Sequence, residues 1–218
     1  MFNHVVIIRF HYPKGSPIFK WRLAYFKAMV LPRLLNQTNK DFDIAIRCNP
    51  EHRKIFESLN KKIRTFDVKP GTGTRRIKKV HGKNYFLDFV RWDDVVGLGK
   101  YEIQSGLDSD DLISLDYIQT IKDEIKKNDS NRSLHISFQP DIFDMYGLKK
   151  MSIGCMYSDK RGSAFFTIYQ PKDKKKYIFA YEASHLVLPL MFEKSVILPV
   201  GKCWATVHGL NESTTLCH

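Results

Sequence analysis

The chain has 218 residues, 43% of them hydrophobic and 13% aromatic, which is enough apolar material for one folded domain with a real core. Nine prolines and twelve glycines are too few for a fibrous repeat or a disordered chain. The formal charge of +12 points to polyanionic partners: nucleic acid, an anionic membrane surface or diphosphates.

In chain order, "HVVIIRF" is a β-branched run of buried-strand type that ends near Arg9. "FKWRLAYFKAMV" carries apolar residues at helical spacing, and Pro32 ends it, kinks it or opens a second helical piece. "FDIAIRC" predicts a second strand, "EHRKIFESLNKK" a second helix and "RTFDV" a third strand. The basic Gly-Thr stretch after it reads as a loop, and "NYFLDFVRWDDVVGLG" as a third helix. "YEIQSGLD" predicts the next strand, and a helix comes next through "SLDYIQTIKDEIKK". Strand and helix alternate four times in the first 128 residues, which implies an α/β domain with a mostly parallel central sheet flanked by helices. "LHISF", "MSIGCMYS", "AFFTIYQ" and "YIFAYEA" lack intervening helices, so antiparallel additions are expected at one edge in the C-terminal half. No segment is linker-like, so residues 1–218 are expected to form a single domain.

Cys48, Cys155, Cys203 and Cys217 form no C-x-x-C pair, so neither a zinc site nor a redox motif is expected. "HLVLPLMFEKSVILPV" is interrupted by Glu193, Lys194 and two prolines, and no signal-peptide pattern is visible. The expectation is a cytoplasmic protein without a transmembrane segment, resting at most on the inner membrane surface.

Residues 61–83 hold nine Lys/Arg against one Asp, with Arg75, Arg76, Lys78 and Lys79 at the centre, and "KDKKK" adds a second cluster at 172–176. Such runs are either solvated faces or anion-binding patches. The other dense feature is Asp108-Ser109-Asp110-Asp111, directly after an apolar strand. Ligands of open α/β sheets bind beyond the carboxyl ends of the parallel strands. Two carboxylates turning there together suit a hard divalent cation, Mn²⁺ or Mg²⁺, that keeps positions open for phosphate oxygens. The simpler alternative is that Asp110 or Asp111 caps a helix starting near Leu112. Three acids in four positions exceed what a cap requires.

"LPRLLNQTNKDFDIAIRCNPEH", with "IQSGLDSDDLIS" and "WATVHGLNEST" later in the chain, resembles the family-2 glycosyltransferases of the GT-A fold, and more specifically the rhamnosyltransferase family. "IIRF", Arg22-Leu23 with Phe26, Leu31-Pro32 and Gln37 carry the rest of the resemblance. It implies a metal-dependent transferase that moves a sugar from a UDP-, GDP- or dTDP-sugar to a saccharide or lipid-linked acceptor, with residues 1–111 as the nucleotide-sugar-binding half and 112–218 as the acceptor-binding half. Asp108 and Asp110 would hold the metal on the donor diphosphate, with His208 completing the site and Asp110 serving catalysis. Asn211 and Ser213 would reach the phosphates, and Arg9 and Arg22 would bind substrate. An inverting transfer also needs a carboxylate to accept the acceptor's proton; Glu182 is the first candidate, with Asp141 and Asp144 as rivals. The chain departs from these relatives at Arg47-Cys48-Asn49, where an acidic pair is usual, and at Gly106, where an arginine often stands. Two further readings stay open: transfer to a modified base in DNA, and a non-catalytic basic nucleic-acid-binding protein on the same scaffold.

Overall fold

β1 (His4–Phe10) is buried at every position except Arg9, as a β-branched run covered on both faces should be. The structure, a computed structural model, describes residues 2–10, 12, 15–66, 74–80, 83–89, 100–144, 165–172 and 188–207, with 74–80 and 83–89 described by their backbone. β1 lies between β2 (Asp43–Cys48) and β6 (Ile103–Asp108), parallel to both. β3 (Ile63–Phe66) continues the sheet beyond β2. On the other side come β10 (Phe166–Tyr169), β8 (Leu134–Phe138) and β11 (Lys194–Leu198), giving the order β11-β8-β10-β6-β1-β2-β3. β10 is antiparallel to both its neighbours and β11 is parallel to β8, so every strand but β10 runs one way.

The expected mostly parallel sheet is therefore present, but the reversed strand sits inside it rather than at an edge. All four residues of β10 are buried. A strand with no solvent-facing side needs neighbours on both flanks, and an interior position supplies them.

The first helical stretch is α1 (Pro17–Tyr25), a π-helical turn (Phe26–Val30) and α2 (Leu31–Leu35). Pro32 stands in the first turn of α2, directly after the π-helical turn. The wide turn just before it absorbs the clash that a proline ring makes with the preceding helix. This stretch buries Phe19, Tyr25, Phe26, Val30, Leu31 and Leu34. Phe10 of β1 meets Phe19, Phe26 and Phe56 edge-on, with ring centroids 5.7, 5.7 and 4.7 Å away. Phe56 belongs to α3 (Arg53–Glu57), the predicted second helix in shorter form. α4 (Tyr117–Lys127) buries Tyr117, Ile118, Ile121 and Ile125 at helical spacing, and Tyr117 packs on Phe138 at 4.5 Å.

Two further expectations are corrected. The predicted basic loop and the start of the predicted third helix form an antiparallel hairpin of β4 (Thr74–Val80) and β5 (Lys83–Phe89). Tyr85, Phe86 and Phe89 favour a strand, and their chance helical spacing carried less weight than a cross-strand partner. The acidic cluster does not open a helix either. Leu112–Ile113 form β7, which pairs with β12 (Cys203–Val207), and α4 starts only at Tyr117 with Asp116 in the cap position. β12 also pairs in parallel with β9 (Asp141–Asp144), completing a separate three-stranded sheet.

A polar thread crosses the main sheet: His4 Nε2 lies 2.8 Å from Ser105 Oγ, which lies 2.6 Å from Thr167 Oγ1. Burial, with a smaller contribution from the Lys122 charge, lowers the His4 pKa to about 3, and burial lowers that of His135 to about 4. Both rings fold neutral, whereas the unfolded chain takes up protons below its ordinary value of 6.5. Their contribution is thus fully present above that value and is lost as the pH falls toward the folded values, at about 1.4 kcal/mol per pH unit for each ring. Urea unfolding between neutral pH and pH of about 4 should show this fall. His4→Gln combined with His135→Asn should flatten it.

Candidate functional site

β1 and β6 end side by side, with Arg9 in register with Asp108. On its other side Arg9 is in register with Arg47 of β2. A row Arg47, Arg9, Asp108 therefore crosses the carboxyl edge of the parallel sheet. Arg9 donates from Nε (3.0 Å) and Nη2 (2.8 Å) to the same oxygen of Asp108, Oδ1. Oδ2 takes part in neither bond. This pair is half exposed, whereas the next acids turn inward.

After Asp108 the chain folds back, and the Asp111 amide donates to the Asp108 carbonyl at 3.3 Å. Ser109, Asp110 and Asp111 are all buried. Arg22, reaching in from α1 and only 6% exposed, forms an ion pair with Asp110 and lies 3.4 Å from Ser109 Oγ. Its guanidinium stands 5.7 Å from the centre of the Tyr12 ring. Asp111 Oδ1 accepts the Thr206 amide of β12 at 3.3 Å, and Thr206 Oγ1 lies 3.2 Å from the Tyr25 hydroxyl. Burial first, and then the charges of Asp110 and Asp108, raise the Asp111 pKa well above the usual carboxylate range.

Gln37 anchors the segment just beyond the acidic turn. Its Nε2 donates to the carbonyls of Ser114 (2.7 Å) and Arg33 (3.1 Å), while its Oε1 accepts the Ile118 amide at 3.0 Å. Arg33 donates to the Ile113 carbonyl at 3.2 Å and lies 5.7 Å from the Trp204 ring centre. β7 is thereby fixed to α2, and the turn immediately before it inherits that position.

The expected residues divide into three groups. Asp108, Asp110, Arg9 and Arg22 come together at the sheet's carboxyl edge, with Asp111 beside them. Asp111 accepts a strand amide instead of capping a helix. Arg75, Arg76, Lys78 and Lys79 lie on β4, and Asp141 and Asp144 bound β9. Glu182, His208, Asn211 and Ser213 lie outside the described residues, although position 208 directly succeeds the strand whose Thr206 contacts Asp111. Thr206 and Tyr25 were not expected here. The alternation in "CWATV" is the signal that identifies β12, and its contact with Asp111 depends on long-range pairing.

Oxygen donors in this number suit a hard divalent cation. Among the described residues, however, no three His, Cys, Asp or Glu side chains converge on one point. Asp108 is turned toward Arg9 and Asp110 toward Arg22. The donor set fits such an ion chemically, on condition that the acids leave their arginines. No helix among the described residues is long and apolar enough to cross a membrane.

Comparison with solved structures finds S. aureus TarS, at TM-score 0.54 and 12% identity over 94% of this chain and 37% of that one. S. aureus TarS 1-349 matches at TM-score 0.52 and 14% identity, over 94% of this chain and 60% of that one. The same piece in complex with UDP gives 0.50 and 14%, over 95% and 61%. The chain thus spans less than two thirds of each of these structures. Identities this low speak for the fold, which is the expected GT-A-like one. No curated protein matches the sequence. A family model described as "Putative rhamnosyl transferase" matches residues 17–217, and the chain belongs to that family.

Proposed function

We propose that the protein transfers a sugar from a nucleotide-diphosphate-sugar to a hydroxyl of a saccharide acceptor, a surface polysaccharide or glycolipid. One observation carries this reading: in a chain of this family, an acidic turn with its own arginines stands at the carboxyl edge of the parallel sheet. Arg9 and Arg47 stand in register at that edge, and guanidinium groups match the oxygens of a diphosphate. Asp108 and Asp110, with His208, would hold a divalent cation, Mn²⁺ or Mg²⁺. When bound, that cation neutralises charge on the departing diphosphate. Arg9 and Arg22 bind and orient the donor, Asn211 and Ser213 reach its phosphates, and Glu182 accepts the proton of the attacking hydroxyl. The +12 charge and the cations of β4 favour an acceptor carried on an anionic surface.

UDP-, GDP- and dTDP-sugars offered with Mn²⁺ test the proposal. UDP-sugars come first, because a similar structure was solved with UDP. Metal-dependent release of the nucleoside diphosphate from one of them is expected. Neither turnover nor metal-dependent nucleotide binding with any of the three would refute it. Transfer only to duplex DNA, lost when Arg75, Arg76, Lys78 and Lys79 are neutralised, would move the acceptor to nucleic acid.

A further inference from the structure

We propose that Arg22 is a tethered counter-ion of Asp110, which a divalent cation must displace. The guanidinium and the metal would then be alternative occupants of one carboxylate. This inference rests on the reading that the acidic turn binds a cation.

Three observations lead to it. Arg22 and Asp110 are both almost fully buried, at 6% and 3% exposure, so the two opposite charges face each other away from bulk solvent. The guanidinium is incompletely served: its Nε is buried with no hydrogen-bond partner, and its contact with Ser109 Oγ is a long 3.4 Å. A guanidinium whose only purpose was to hold the fold would be expected to use its whole fork, because buried donors left unmade are costly. Finally, among the described residues no three His, Cys, Asp or Glu side chains converge on one point, and Asp108 and Asp110 each face an arginine.

A compact ion between Asp108 and Asp110 and the Arg22 guanidinium compete for the same oxygens. Arrival of the cation and release of Arg22 are therefore one event. The released fork has donors that match a diphosphate, so the site gains its anion-binding group only when the metal is present. Coupling of this kind is reciprocal: a diphosphate that holds Arg22 away from Asp110 strengthens metal binding to the same extent. Arg22 is in this sense a positioning residue, acting through Asp110.

The test uses Mn²⁺ alone, without nucleotide, and compares the full-length protein with Arg22→Met. Free Mn²⁺ is measured by electron paramagnetic resonance, and melting temperature is followed in parallel. Without metal, Arg22→Met should melt below the wild type, since Asp110 loses the buried guanidinium it is paired with. With Mn²⁺ the order of response reverses. The variant should bind the ion at least about tenfold more tightly than the wild type and gain more in melting temperature. If it folds only in Mn²⁺, that supports the proposal; refolding indifferent to Mn²⁺ overturns it. Arg22→Met with Asp110→Asn removes both charges and should fold without metal and show no Mn²⁺ effect. Equal or weaker Mn²⁺ binding by folded Arg22→Met, beside a wild type that binds the ion when UDP is present, overturns the competition and leaves the metal reading intact. No Mn²⁺ binding by either protein, with or without nucleotide, removes the metal reading itself.

Discussion

Asp110→Ala should lose about 3–5 kcal/mol of stability in metal-free buffer, together with all metal-dependent turnover of the donor. Arg22 would remain in place, 6% exposed, with its ion-pair partner gone. Removing one member of a buried pair costs more than the pair contributed, because the survivor keeps its desolvation penalty. Asp110→Asn separates the two effects. Its amide oxygen still accepts from Arg22, so less stability should be lost, yet the negative charge needed to hold a cation is missing. Urea unfolding and donor hydrolysis on the two variants make the comparison. An alanine variant of unchanged stability would mean that the Arg22–Asp110 pair is not buried in solution.

Gly106→Arg should be the other severe substitution, costing more than about 3 kcal/mol. Gly106 faces Phe166 across the β6–β10 pair, and a Cβ at 106 would come within 2.5 and 2.6 Å of that ring. Phe166 is itself 4% exposed and has little room to withdraw. The ring therefore occupies the space that an arginine side chain would need. Gly106→Ala should already cost about 1–3 kcal/mol through overpacking. The two positions should also couple: on a Phe166→Ala background, Gly106→Arg should be clearly milder than on the wild type, as a double-mutant cycle would show. Strictly additive effects would contradict this account of the glycine.

Local signal was strong where burial is one-dimensional along the chain. The runs that became β1 and β2 have unbroken apolar centres, Val5–Ile8 and Ile44–Ile46, and a strand covered on both faces needs such a run wherever its partners lie. α4 was equally legible, because its isoleucines repeat at helical spacing. β7, β9 and β12 are short, and they exist because residues about 60 to 90 positions apart pair with one another. Nothing within "LI" or "DIFD" announces that pairing. The β4–β5 hairpin failed for a related reason: its aromatic residues satisfy two periodicities, and only the cross-strand partner decides between them.

At the site, the acids themselves were legible from their density after a strand. The partner that each acid faces was not. Arg9 reaches Asp108 through strand register, and Arg22 reaches Asp110 from a helix 87 to 88 positions earlier in the chain, contacting Ser109 as well. Asp111 is one of the two acids that a helix near Leu112 would use as its cap. It accepts a strand amide instead, because the two residues after it are claimed by β12 before any helix can start.

The central claim is that the acidic turn receives the diphosphate of a nucleotide together with a cation. Calorimetric titration of UDP, GDP and dTDP, each with and without Mn²⁺, tests it on the wild type and on Asp108→Ala. At least one nucleotide should bind the wild type about tenfold or more tightly when Mn²⁺ is present, and Asp108→Ala should lose that gain. Nucleotide affinity that ignores Mn²⁺ in the wild type, or a gain that survives the loss of Asp108, would contradict it.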